Sequence, residues 1–208
     1  MKKYIIKTPS LVKLFFNNWV WSFSSKEKTL YLTFDDGPTP EITNWTLNTL
    51  KEHNAKATFF CIGKNIAKYP EIYEKIKAQN HTVGNHTNNH LNGYKTTATT
   101  YLENIDLSEE NSGEKLNLFR PPYGKLKLSQ AEQIRKKGYK IVMWDVLSAD
   151  FDTKITSEEC LANVIKNVKN GSIIVFHDSV KASEKLKFVL PKILEFYKAK
   201  GYTFNAIN

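Results

Sequence analysis

Thr29-Leu30-Tyr31-Leu32-Thr33-Phe34-Asp35-Asp36-Gly37-Pro38 joins a run of strand-forming residues to an acidic turn, and the architecture of the chain repeats that junction. A β-prone run over 29–34 stops abruptly at a polar turn made of two aspartates, a glycine and a proline. Similar runs predict strands over 57–62, 81–84, 118–120, 140–146, 172–176 and 202–207. Between them, amphipathic stretches predict helices over 41–53, 65–79, 97–113, 129–137, 157–168 and 183–200. Ile42, Trp45, Leu47 and Leu50 form the apolar face of the first, and Gly138 and Gly171 stand where helices close. The strand runs are apolar throughout their length, as expected of parallel strands covered on both faces. Repeated strand–helix units mean α/β. About seven units, irregular in length, are too few for an eightfold closure. The expectation is a distorted, incomplete (β/α) barrel of about seven parallel strands with outer helices.

The polar clusters fall just after strand ends: Asp35-Asp36, His86 with His90, Arg120, Asp150, and His177-Asp178. In an α/β barrel that rim is where active sites form. Groups remote in sequence would therefore converge, which argues for an enzyme. Two imidazoles and a carboxylate suit a borderline divalent metal, zinc first, with cobalt, nickel or manganese also accommodated. The four-residue step from His86 to His90 places both rings on one side if the segment is helical. Adjacent aspartates after a strand also occur as helix caps or Asx-turns, but repulsion between neighbouring carboxylates favours a cation. One would bind the metal while the other serves as base.

The chain has 208 residues, which suits one domain, and 41% apolar residues are enough for a core. The net charge of +9 comes from scattered lysines without a nucleic-acid motif, so no nucleic-acid partner is expected. Cys61 and Cys160 have neither zinc-knuckle nor CxxC spacing. Met1-Lys2-Lys3 resembles the start of a signal peptide, but Lys7, Pro9 and Lys13 interrupt any apolar region, and no window is long enough to span a bilayer. Residues 1–28 are expected to form an N-terminal arm, with Trp19, Val20, Trp21 and Phe23 covering part of the domain at 29–208. The compartment is expected to be cytoplasmic, or periplasmic or exported by an unconventional route.

Five motifs carry a resemblance. Thr33-Phe34-Asp35-Asp36-Gly37-Pro38, His86-Thr87-Asn88-Asn89-His90, Arg120-Pro121-Pro122-Tyr123-Gly124, Trp144 to Phe151 and Ile173 to Asp178 occur in the order found in the NodB-homology polysaccharide deacetylases, carbohydrate esterase family four. The chain resembles that family over most of its length. The resemblance implies hydrolysis of N-acetyl groups on N-acetylglucosamine polymers, chitooligosaccharide or peptidoglycan, with release of acetate. It implies Asp35 as general base, Asp36, His86 and His90 as metal ligands, and Arg120 as the partner that keeps Asp35 ionised. It further implies the Tyr123 backbone N–H as oxyanion donor, His177 as general acid and Asp150 as its orienting carboxylate. Asp145 is a rival for that last role, and Asp178 reads as a supporting group. Two positions depart from the family pattern, Phe151 where tryptophan is usual and Val175 where leucine is usual, and both would reshape the acetyl pocket. An O-acetyl esterase acting on xylan, or a non-catalytic sugar-binding relative, is the alternative.

Overall fold

The side-chain alternation of β1 (Thr29–Asp35) sets the layers of the protein. Leu30, Leu32 and Phe34 are fully buried among helix side chains such as Leu190 and Ile193. On the opposite face Tyr31 packs on an inner cluster of Phe60, Leu118, Val142 and Ile173, and Thr33 and Asp35 share its side. The computed structural model describes residues 4–23 and 26–208; Met1-Lys2-Lys3 lies outside the described residues. Its strands are β1, β2 (Ala57–Cys61), β3 (Thr82–Asn85), β4 (Leu118–Phe119), β5 (Lys140–Ile141), β6 (Val146–Leu147), β7 (Ile173–His177) and β8 (Thr203–Phe204). They pair in parallel in the order β5-β4-β3-β2-β1-β7-β6, with β8 added to the start of β1. This is the incomplete barrel expected, curled around the inner cluster.

Its helices are α1 (Ser10–Phe15), α2 (Ile42–Glu52), α3 (Gly63–Lys68), α4 (Pro70–Ala78), α5 (Ala98–Ser112), α6 (Leu128–Lys136), α7 (Ser157–Ile165) and α8 (Ser183–Ala199). Their starts follow from local chemistry. At α7, Thr156 Oγ1 accepts from Glu159 N at 3.1 Å while Glu159 Oε2 accepts from Thr156 N at 2.9 Å, a reciprocal cap. At α5, Gly113 with φ +68° closes the helix in the left-handed conformation. Each fully buried leucine or phenylalanine under these helices contributes about 1.5–3 kcal/mol.

Three expected elements are altered. The helix expected over 65–79 is two helices that break at Tyr69, because Pro70 opens α4 and disfavours helical geometry in the residue before it. The strand expected over 140–146 is interrupted: β5 pairs with β4, β6 pairs with β7, and the residues between them cross the gap where the barrel fails to close. The last strand shrinks to Thr203–Phe204.

The arm occupies that gap. Val20 N donates to Ile141 O at 2.8 Å and Met143 N to Val20 O at 2.7 Å, while Phe23 N donates to Gly171 O at 2.8 Å. Further back, Leu147 N donates to Ile6 O at 2.9 Å and Thr8 N to Asp145 O at 2.9 Å. Both edges of the sheet thus have their backbone groups covered, which removes a template for edge-to-edge association. Trp19 and Trp21 are buried against α6 and β5 residues, and Val20 and Phe23 pack on the inner cluster. Asp145 fastens the arm: Lys7 reaches its Oδ2 at 2.5 Å, Lys13 its Oδ1, and Ser172 its Oδ2 at 2.5 Å. Asp145 is therefore no rival to Asp150.

Candidate active site

Parallel register brings the strand ends level. Asp35 and His177 are paired neighbours at the ends of β1 and β7. The ladder continues past the strands, with His86 N donating to Cys61 O at 3.0 Å and Arg120 N to Asn85 O at 3.0 Å. All eight residues singled out from the sequence stand on this rim.

Arg120 is fully buried, and four hydrogen bonds engage all three of its nitrogens. Nε donates to Val142 O at 3.1 Å and Nη2 to Met143 O at 2.8 Å, so the guanidinium also satisfies carbonyls of the interrupted strand. Nη1 donates to Thr33 Oγ1 at 2.7 Å and to Asp35 Oδ1 at 2.7 Å. The guanidinium lies over the Phe60 ring, 4.1 Å from its centroid. Burial alone would push the Asp35 carboxyl up, but Arg120, helped by the protonated His177 ring, outweighs it and holds the group below the usual carboxylate range.

Asp36 has φ +83°, a left-handed backbone that costs a non-glycine residue roughly 1–3 kcal/mol. Its carbonyl accepts from Asn65 Nδ2 at 2.8 Å. Its Oδ1 is buried without a hydrogen-bond partner among the described residues, yet lies 3.2 Å from His90 Nε2 and 3.8 Å from His86 Nε2. His86 Nδ1 is 2.7 Å from the Arg120 carbonyl, which can only accept, so the ring proton sits there and Nε2 turns its lone pair toward Asp36. Burial lowers both imidazoles, His90 to about 4, and keeps them neutral. Three ligand atoms within 4.8 Å of one another, neutral rings and an orphaned carboxylate oxygen fit a divalent cation.

The helical turn expected at 86–90 is not present. Thr87 and His90 have φ of +61° and +56°. Side-chain amides replace the helical hydrogen bonds: Asn85 Oδ1 accepts from Thr87 N at 2.8 Å, and Asn104 Oδ1 accepts from Asn88 N and Asn89 N at 2.9 Å. The two rings still meet, 5.1 Å apart, because this loop returns to the rim.

His177 Nδ1–H donates to Asp150 Oδ1 at 2.7 Å, and His177 N donates to Asp150 Oδ2 at 2.7 Å. Burial disfavours its imidazolium, but the fully buried Asp150 carboxylate prevails and raises the ring to about 9. Tyr123, with φ +61°, sits at the mouth with its ring 4.5 Å from that of His90 and its hydroxyl 3.1 Å from His90 Nδ1.

Asp35, Asp36, His86, His90, Tyr123 and His177 border one cavity of about 600 Å³, with Arg120 and Asp150 buried behind them. Trp144, Leu147, Phe151 and Val175 give it apolar walls, and the Phe151 ring stands edge-on to His177 at 5.1 Å. Residues that sequence reasoning missed include Tyr4, an arm residue that reaches the same cavity and donates to Asp152 Oδ2 at 2.5 Å. Nothing in a single isolated tyrosine signals that role. Lys125 and Lys181, exposed at the cavity's edge, were also missed, as was Thr33 beneath Arg120.

An ionised carboxylate and a protonated imidazole facing a three-ligand cation site have the layout of a hydrolase. The polysaccharide deacetylase profile matches residues 24–142, and the chain belongs to that family. A peptidoglycan-N-acetylglucosamine deacetylase of Bacillus cereus is 33% identical over 193 residues, covering 90% of each chain. A chitooligosaccharide deacetylase of Azorhizobium caulinodans is 32% identical over 167 residues, 77% of this chain and 79% of that one. Among solved structures, a peptidoglycan N-acetylglucosamine deacetylase in complex with a naphthyl N-hydroxybenzamide superposes with a TM-score of 0.88 at 31% identity. That superposition covers 96% of this chain and 95% of the other. Asp150 and His177 lie beyond the profile match, so the rim geometry is what ties them to the site.

Proposed function

We propose that the protein removes N-acetyl groups from N-acetylglucosamine-containing polysaccharide, releasing acetate and leaving a free amine. Peptidoglycan strands are the first candidate substrate and chitooligosaccharides the second, in keeping with what its relatives act on. The observation that carries this reading is the meeting of Asp35, His177 and the Asp36–His86–His90 set around one apolar-walled cavity. Asp36, His86 and His90 would hold a divalent ion, zinc in first place, which would supply Lewis-acidic charge to polarise the acetamide carbonyl. Asp35, kept ionised by Arg120, takes the proton of the attacking water. The Tyr123 N–H supports the developing oxyanion. His177 delivers its Nε2 proton to the departing nitrogen while Asp150 holds the opposite edge of the ring. Phe151, Val175 and Leu147 offer an apolar bed for the acetyl methyl.

The test is acetate release from peptidoglycan strands, chitooligosaccharides and acetylated xylan, by chelator-treated and zinc-reconstituted protein. Asp35→Asn is expected to lower release by about 10²–10⁴-fold while leaving zinc bound. His86→Ala is expected to lose both; unchanged zinc content in that variant would refute the ligand assignment. No acetate from any of the three polymers would refute the function.

A further inference from the structure

Asp178 is fully buried, does not border the cavity, and has no place in the chemistry above. Its oxygens nevertheless reach the turn that carries Asp36. Oδ1 accepts from Gly37 N at 3.1 Å, and Oδ2 accepts from the Thr43 hydroxyl at 2.5 Å. Its own N–H donates to Asp35 O at 3.2 Å. Thr43 Oγ1 in turn accepts from Thr39 N at 2.8 Å, so the start of α2 is bound into the same knot. The fit is close enough that a Cβ on Gly37 would lie 2.1 Å from Asp178 Oδ2. The far side of the turn is fixed separately, by Ile62 N donating to Gly37 O at 2.9 Å and by Asn65 on the Asp36 carbonyl.

We propose that Asp178 is a positioning residue for the cation site: it clamps Gly37 and thereby holds Asp36 in the left-handed conformation that aims its carboxylate at His86 and His90. Because Asp178 directly follows His177 in β7, the same clamp sets the distance between the acid and the metal-binding carboxylate. The inference rests on reading Asp36 as a metal ligand. A clamp of this kind acts on affinity. Groups that orient a ligand from behind typically change metal affinity by about 10–100-fold when removed.

The experiment measures zinc affinity of the full chain by competition with a chromophoric chelator, alongside thermal unfolding of the metal-free protein. Asp178→Ala is expected to bind zinc about tenfold or more weakly. Asp178→Asn, which keeps the shape and an acceptor for Gly37 N–H, is expected to stay within about threefold. A fall in Asp178→Ala melting temperature with unchanged zinc affinity would make the residue merely structural and overturn the proposal. So would an Asp178→Asn variant as weak as Asp178→Ala. If Asp178→Ala does not fold, Thr43→Val, which cuts one strand of the clamp, decides: affinity about threefold weaker supports the proposal, unchanged affinity overturns it. Wild-type protein that fails to bind zinc would instead refute the ligand reading on which the inference stands.

Discussion

Replacing Asp150 by asparagine removes the charge behind His177 while keeping the side chain's size, although the amide nitrogen then faces the His177 backbone N–H and the bond that Oδ2 accepts at 2.7 Å is lost. The asparagine oxygen can still accept from the imidazole Nδ1–H, which now meets Asp150 Oδ1 at 2.7 Å, but the negative charge is gone. With Asp150 present the imidazolium persists to about pH 9: burial lowers the value, while Asp150, and after it Asp36 and Asp35, raise it. Without the carboxylate, the ring returns to roughly 6.5 or below. The loss is about 2.5 pH units, or about 3 kcal/mol of preference for the protonated form. If His177 must donate a proton, the alkaline limb of kcat/KM should move down by that interval. At pH 8 about nine-tenths of wild-type molecules carry the proton, against about 3% of the variant, so activity there should fall about thirtyfold. At pH 6 the two should differ by less than about twofold from this cause. The assay is acetate release across pH 5.5–9.5 with saturating zinc. An equal fractional loss at every pH, or an alkaline limb that stays in place, would refute the role assigned to this pair.

His81 lies far from the rim, with its Nδ1 accepting from Ala57 N at 3.2 Å, and burial lowers it to about 4. The unfolded chain takes up the proton more readily, so this stability is full above about pH 6.5 and declines as pH falls toward 4. By pH 4.5 the loss is about 2.5 kcal/mol. Urea unfolding of wild type and His81→Gln at pH 7.5 and 4.5 checks it, and equal pH losses in the two would exclude His81 as the cause. Asp145→Ala leaves Lys7 and Lys13 without their shared, buried carboxylate. It should cost about 3 kcal/mol and expose the arm to limited proteolysis, and an arm as resistant as in wild type would contradict the fastening role. Lys125 and Lys181 edge the cavity and have no ion pair among the described residues. Reversing both to glutamate should lower kcat/KM about tenfold on carboxylate-bearing peptidoglycan strands and leave neutral chitooligosaccharides unaffected; equal effects on both substrates would remove these lysines from polymer selection.

Fold legibility followed the locality of its causes. Strands buried on both faces announce themselves through unbroken apolar runs, and β1, β2 and β7 lie within a residue or so of where the sequence places them. The gap between β5 and β6 could not be read that way, because residues 142–144 are as apolar and β-prone as any strand. What interrupts them is non-local: the arm's Val20 takes the backbone partners there, and Arg120 takes two carbonyls. Burial and side-chain hydrogen bonding from distant segments overrode a local propensity.

The site shows the same division more sharply. Seven of its eight proposed residues follow from strand ends delivering polar groups to a barrel rim, whatever the local conformation around them; Tyr123 came only through the family resemblance. The helical argument for His86 and His90 reached the right pair by the wrong geometry. The rings converge because Asn85 and Asn104 tie the loop, not because 3.6-residue periodicity aligns them. Spacing arguments therefore identify which residues meet more securely than how they meet. Where the answer depends on how, as with Asp178 beneath Gly37, only the packed structure supplies it. A buried aspartate after a strand reads in sequence as a cap, and its hold on Asp36 appears only when β7, the 36–37 turn and α2 are brought together.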